Sequence, residues 1–174
     1  IPKTLEKVTT YHYGENNGAF RGCSNLKEVR FEEGTKKVAE YLFTNCPGLE
    51  KITIPEGIET IGNGAFAGCG NLTDIIMPGS VTTIGNSAFE STGKVKKIEI
   101  GRGTVTIADN AFKNCNELEE VSLPDTIETI GANAFQNDKK LTGLKLPKNI
   151  KTMGYGAFGE CTGLTEIEIP KTLE

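Results

Sequence analysis

Several features of common protein classes are missing from this chain of 174 residues. It has no tryptophan, one histidine and two methionines, and no apolar run approaches the roughly 18 residues that a membrane span needs. Its net charge of -4 gives no basic surface for nucleic acid or anionic lipid. The chain begins at Ile1 with no signal sequence, which suggests a processed chain or an excised piece. We expect one globular domain without a membrane-inserted segment.

Phenylalanine, by contrast, is present at a strict period. Seven of the eight phenylalanines lie 23 residues apart, and cysteine follows the same period with Thr92 and Asp138 in its two vacant positions. The domain, residues 1–174, therefore divides into an irregular first coil (1–25), six repeats of 23 residues (26–163) and a partial last repeat (164–174). We expect these phenylalanines to stack as one buried spine, which consists of Phe20, Phe43, Phe66, Phe89, Phe112, Phe135 and Phe158.

The spacing within one repeat, residues 49–71, predicts how each unit folds. Ile52 and Ile54 alternate with a polar residue, and Pro55 then ends the strand because proline cannot donate to a ladder. The apolar residues between Ile61 and Cys69 suit one turn of α or 3₁₀ helix. Each repeat is thus predicted to form a strand, a corner, a short helical turn and a second corner.

A single repeat cannot fold alone. Its apolar side chains contribute roughly 10–20 kcal/mol on burial, whereas ordering each backbone residue costs about 1–2 kcal/mol. Stacked repeats share one core and extend one parallel sheet, so the balance becomes favourable. The sequence therefore predicts a solenoid.

The recurrent pattern of leucine, isoleucine, proline, Ile-Gly, Ala-Phe and cysteine, as in Leu118–Pro124 followed by Ala134 and Phe135, resembles the BspA-like leucine-rich repeat family. The resemblance covers residues 26–174 and extends weakly over 1–25. It implies an α/β repeat fold, a right-handed solenoid with a parallel sheet on its concave face and short helical turns with irregular segments on its convex side. Gly101 and Glu32 depart from the pattern at the proline position, Ala108 at the glycine and Leu42 at the alanine, and none of them breaks the period.

The family resemblance also implies the class of function. It implies a bacterial or protist protein at the cell surface or secreted, which adheres to host matrix proteins, plasma proteins or other cells. The family has no shared catalytic residues, so no enzyme activity, cofactor or metal is expected. A spacer array without a ligand of its own is the alternative.

The cysteines leave three interpretations open. Neighbouring coils lie about 4.8 Å apart, so disulfides between adjacent cysteines are geometrically allowed. The same position also accepts Thr92 and Asp138, which share with a thiol the capacity to hydrogen bond. Buried free thiols are the favoured interpretation, followed by a disulfide and then by a metal site.

Two regions are candidates for recognition. The first is the outward face of the predicted strands, where charges alternate in sign from coil to coil; the alternation also serves strand register. The second is a seven-residue insertion before the first Ala-Phe pair, predicted to project as a loop with aromatic contacts. The strand-face candidates are Lys51, Asp74, Ile76, Lys97, Glu99, Glu120 and Ser122, and the loop candidates are Tyr11, His12 and Tyr13.

Repetition of one hexapeptide, Ile1–Glu6 and again Ile169–Glu174, places the same phase of the coil at both ends. Neither end has a recognisable polar cap. Uncapped core and sheet edges favour association, so we expect weak end-to-end self-association.

Overall fold

The computed structural model describes residues 18–173, which contain eleven short strands and no helix. Two strands come from each of the first five repeats, and one from the sixth. All strand pairs are parallel. The strands are β1 Glu28–Val29, β2 Lys37–Val38, β3 Lys51–Ile52, β4 Thr60–Ile61, β5 Asp74–Ile76, β6 Thr83–Ile84, β7 Lys97–Glu99, β8 Thr106–Ile107, β9 Glu120–Ser122, β10 Thr129–Ile130 and β11 Thr152–Met153.

The odd-numbered strands β1 to β9 form the predicted parallel sheet, here called sheet A. Each strand pairs with the strand 23 residues later, for example Ile75 with Ile98 and Asp74 with Lys97. The middle residue of β5, β7 and β9 is buried and its two neighbours are exposed. This alternation follows from the period of two in a strand, and it confirms the parallel-sheet solenoid.

A second parallel sheet, sheet B, was not predicted. It contains β2, β4, β6, β8, β10 and β11. In β4, Thr60 is half-buried and Ile61 is buried, and the same Thr-Ile pair recurs at β6, β8 and β10. The repeated pair of β-branched residues, one outward and one inward, is the feature of the sequence that indicates this second strand.

The segment predicted as a helical turn forms hydrogen-bonded turns instead. In the second repeat, the N–H groups of Gly64, Phe66 and Gly68 donate to carbonyl oxygens of the third repeat, at 2.8 Å each. Gly64 and Gly68 both have positive φ, which a right-handed helix does not allow. Glycine, asparagine or serine fills most of these positions in the other repeats, and these residue types favour turns with positive φ. The sequence thus indicated turns here, but the spacing of the apolar residues favoured the prediction of a helix.

The periodic phenylalanines form the predicted spine. Rings in consecutive repeats stack with centroids 5.1–5.6 Å apart and planes within 15°. The five inner rings, from Phe43 to Phe135, are fully buried, whereas Phe20 is 39% exposed and Phe158 is half-buried. The buried residues therefore form one continuous core along the solenoid.

Candidate functional site

The strand-face candidates meet on one surface, here called the sheet A face. The backbone register places Lys51 beside Asp74, Asp74 beside Lys97, and Lys97 beside Glu120. Ile76, Glu99 and Ser122 form the adjacent row on β5, β7 and β9. The structure thus brings together the seven residues selected from the sequence, and all of them are exposed. Their position on a concave side stays a prediction.

Lys97 is the electrostatic centre of the sheet A face. Its Nζ lies 3.2 Å from Glu99 Oε1 on its own strand and 3.5 Å from Glu120 Oε1 on the next. The hydrogen bond to Glu99 and then the charge of Glu120 raise the pKa of Lys97 above its ordinary value. One cation therefore links two repeats across the face.

Ile76 is the apolar feature of the same face. Its side chain is 62% exposed, although its strand neighbours Ile75 and Met77 are buried. It lies beside Glu99 in the register, next to the Lys97 ion pairs. An exposed isoleucine rimmed by charges can add apolar contact to a charged interface.

Other ion pairs lie outside the candidate face and join adjacent repeats. Lys27 binds Glu50 at 2.7 Å, Lys36 binds Glu59 at 3.0 Å, and Lys140 binds Glu117 at 2.7 Å. In each pair the partners are 23 residues apart and mostly exposed. Exposed pairs contribute little stability singly, but repeated in register they favour one alignment of the coils.

Inside the corners, the cysteine position forms a polar ladder. The thiols of Cys46, Cys69, Cys115 and Cys161 each donate to the carbonyl oxygen of the phenylalanine 26 residues earlier, at 3.0–3.6 Å. All five cysteines are free thiols, and only Cys23 is exposed. Burial raises the pKa of Cys69 to about 12 and that of Cys161 to about 11. These thiols are structural donors with little nucleophilic character.

The two non-cysteine residues fill the ladder by different bonds. Thr92 Oγ1 donates to Phe89 O at 3.0 Å, whereas Asp138 Oδ1 accepts the N–H of Cys115 at 2.8 Å. Asp138 is fully buried, and its Oδ2 has no hydrogen-bond partner among the described residues. Burial raises the pKa of this carboxyl to about 8, despite the opposing backbone hydrogen bond. Asp138 is therefore mostly protonated at neutral pH.

A groove that sequence reasoning missed lies at the end of sheet A. It has a volume of about 500 Å³ and crosses the fourth, fifth and sixth repeats. The sequence showed only that Gly101 replaces the usual proline there. The groove is lined by Ile100, Arg102, Ser122, Leu123, Pro124, Asp125, Thr126, Lys145, Leu146 and Asn149.

The remaining sequence candidates lie outside the part of the chain that the structure describes, and that part holds no metal site or membrane span. Tyr11, His12 and Tyr13 lie outside the described residues. Within 18–173, no group of three His, Cys, Asp or Glu side chains is placed to hold a metal ion. The same part of the chain has no helix long and apolar enough to cross a membrane.

Comparison with known proteins places the repeats in a family. A model of the BspA type leucine rich repeat region, with six copies, matches residues 15–115 and 82–174. No curated protein is similar enough in sequence to match the chain.

Solved structures of bacterial leucine-rich repeat proteins share the fold. A protein from Bacteroides ovatus ATCC 8483 is 38% identical with a TM-score of 0.83, over 89% of this chain and 40% of that one. A protein from T. pallidum is 30% identical with a TM-score of 0.75, over 78% and 64%. One from Eubacterium ventriosum ATCC 27560 is 28% identical with a TM-score of 0.61, over 88% and 47%. The chain thus spans less than two thirds of the length of each.

Proposed function

Because the chain belongs to the BspA-type leucine-rich repeat family, we propose that it is a non-catalytic, protein-binding module of a bacterial cell-surface or secreted protein. Its binding surface is the sheet A face. Its ligand is a host matrix protein, a plasma protein or a protein on another cell, as the family resemblance implies. Leucine-rich repeat domains generally act by presenting one face of a rigid scaffold to a protein partner.

The observation that carries this proposal is the contrast between inward and outward residues of sheet A. Inward positions repeat almost unchanged, as at Ile75, Ile98 and Val121, because they fill one core. Outward positions vary from Ile76 to Glu99 to Ser122 in adjacent strands. Since outward side chains are free of core packing, their variation supports a surface adapted to a particular ligand.

The character of the face favours moderate affinity and electrostatic steering. Lys97, Glu99 and Glu120 mix charge signs, and Ile76 is an isolated apolar group. Mixed charges raise the association rate and specificity more than the affinity, and salt screens them. We therefore expect an association rate that falls as ionic strength rises.

A charge-swap experiment tests the assignment. The variant Lys97→Glu with Glu99→Lys keeps net charge but inverts the centre of the face. Its matched control is Lys96→Glu with Glu119→Lys, which inverts an inter-repeat pair 3.6 Å apart outside the candidate face. Both variants are compared with the unmodified chain by surface plasmon resonance on immobilised, purified matrix and plasma proteins.

The first variant should weaken saturable binding at least tenfold, and the control should change it less than threefold, with both unfolding midpoints nearly unchanged. Equal binding by all three proteins would contradict the assignment of ligand binding to the sheet A face. If a chain lacking Tyr11–Tyr13 alone loses binding, the recognition element is that segment.

A spacer array is the second candidate, and the inter-repeat ion pairs such as Lys27–Glu50 and Lys140–Glu117 favour it. They keep register without any ligand. A spacer would show no saturable binding to any protein of the panel, whereas longer chains with other regions would bind.

A further inference from the structure

The groove at the end of sheet A has an unusual surplus of hydrogen-bond donors. Arg102 and Lys145 line it from the fourth and sixth repeats, on either side of the fifth. Neither forms an ion pair or a side-chain hydrogen bond within the described part of the chain, and the charge of Lys145 acts only on Asp125 in the same groove. Arg102 is the eighth residue of its repeat and Lys145 the fifth of its own, so the two cations reach the groove from different positions of the coil.

The backbone contributes a further donor. The N–H of Met77 donates to Glu99 O, and that of Ile100 donates to Ser122 O, each bond joining one repeat to the next. At the fifth repeat the corresponding bond from Leu123 N–H to Lys145 O is not formed among the described residues. Sheet A ends at β9, and the sixth repeat pairs with it only through the bridge between Glu120 and Gly143.

The groove lies beside the corner of the fourth repeat, and the sequence of this corner differs from that of the other repeats. Gly101 stands where the other repeats have proline or glutamate. A Cβ at Gly101 would collide with the carbonyl oxygen of Pro78, and one at Gly103 with that of Gly79. The corner of the fourth repeat thus packs tightly against the third. Its Ile100 and Arg102 face the groove on the opposite side.

The floor of the groove is apolar, and the one acidic side chain that lines it, Asp125, is already bound to Lys148. Leu123 and Pro124 are half-buried beneath the groove. Asp125 accepts the backbone N–H of Lys148 at 3.0 Å and lies 3.7 Å from its Nζ. The backbone bond to Lys148 first, and the nearby charges of Lys148 and Lys145, lower the pKa of Asp125.

We propose that this groove binds an extended acidic peptide segment of a protein partner, with a carboxylate between Arg102 and Lys145 and an apolar side chain on Leu123 and Pro124. The unpaired Leu123 N–H and the Ser122 hydroxyl supply neutral donors to the same anion. The inference rests on the proposed function and adds the chemistry of the ligand. A sulfated polysaccharide fits less well, because Asp125 in the groove repels a long polyanion and the apolar floor of Leu123 and Pro124 offers no donor to its sulfates.

Titration with two labelled peptides tests this. The probe is a fluorescein-labelled peptide, blocked at both ends, with one glutamate between two leucines in a glycine–serine frame. The reference peptide has glutamine instead of glutamate. The unmodified chain should bind the glutamate peptide at least tenfold more tightly, and in ¹⁵N NMR spectra the Leu123 amide should shift downfield as its N–H gains an acceptor.

The variant Arg102→Gln with Lys145→Gln should lose at least tenfold in affinity, whereas Lys37→Gln, an exposed lysine on sheet B, should not. Circular dichroism melting checks that both variants fold. Equal affinity for the two peptides, or shifts confined to amides around Lys51 and Lys97, would overturn the proposal that the peptide binds in the groove. Shifts of the Leu123 amide by a heparin-derived octasaccharide without any by the peptide would overturn the choice of ligand.

The two proposals fail separately. If the peptide does not bind but the Lys97–Glu99 charge swap still weakens capture of a protein ligand, only the groove is wrong. If the charge swap has no effect while the glutamate peptide binds in the groove, the sheet A face is wrong and protein recognition moves to the groove.

Discussion

The middle repeats and the last repeat place the same residue types at the same positions but bury them differently. Ile98 and Ile100 of the fourth repeat are 0% and 6% exposed, whereas their counterparts Ile167 and Ile169 are 41% and 56% exposed. A repeat buries its apolar residues by contact with a neighbour on each side, and the segment 164–173 contacts a described neighbour on one side only. Burial in this solenoid is thus a property of neighbouring pairs of repeats.

Truncation of the phenylalanine spine should show the largest difference between the two regions. Phe89→Ala leaves a cavity between two buried rings and should cost about 3–5 kcal/mol of unfolding free energy. Phe158→Ala, at a half-buried ring with one described stacking partner, should cost about 1–2 kcal/mol. Urea denaturation of both variants measures the two losses. Equal losses would mean that burial does not depend on position along the stack.

Asp138 should give an interior repeat a distinctive pH dependence. Its pKa is about 8 when folded and 3.8 in the reference state, so between these values the folded chain holds a proton that the unfolded chain releases. Stability from this group is fully present below about pH 4 and falls as pH rises, by up to about 1.4 kcal/mol per pH unit, until about pH 8. The titratable groups known to face it are the Cys115 and Cys161 thiols.

The matched control is Asp138→Cys, since cysteine occupies this position in four described repeats with buried thiols. The variant should gain stability over the unmodified chain as pH rises from 5 to 8, measured by urea denaturation at each pH. Parallel stability curves for the two proteins would show that Asp138 ionises normally.

Thiol reactivity separates the first cysteine from those deeper in the stack. Cys23 is exposed, whereas Cys46, Cys69, Cys115 and Cys161 are buried and hydrogen bonded. A thiol reagent should label Cys23 quickly and the other four only after unfolding. Mass spectrometry at intervals would locate the label. Fewer than five reactive thiols in unreduced, denatured protein would reveal a disulfide.

The smallest expected effect is at a turn of the last complete repeat. Glu160 has a φ of 59°, a conformation that costs a non-glycine residue free energy. Glu160→Gly should therefore raise the free energy of unfolding by about 0.5–1 kcal/mol. The control Glu90→Gly, at a turn residue without positive φ, should lower it. Stabilisation by both substitutions would point to a cause other than backbone conformation.

Much of the architecture could be predicted because every repeat has the same pattern of apolar and polar residues. The spacing of Phe66, Phe89 and Phe112 predicted the buried spine, and the alternation at Ile52 and Ile54, repeated every 23 residues, predicted both the inward and the outward rows of sheet A. The register of Asp74 beside Lys97 followed from the period alone. The candidate face could thus be assembled from the sequence, although its ligand could not.

The sequence by itself determined the repeat length, the residues that face inward and the outward rows, because these depend on local alternation within one unit. Only the tertiary structure decided that Gly64 and Phe66 donate to the next repeat in place of a helix, that Thr60 and Ile61 join a second sheet, and that Leu123 N–H lacks its partner. These outcomes depend on what the neighbouring repeat offers at about 4.8 Å, which no single repeat encodes. Ile98 and Ile167 illustrate the point, since one position in the pattern is buried or exposed according to the repeats on either side.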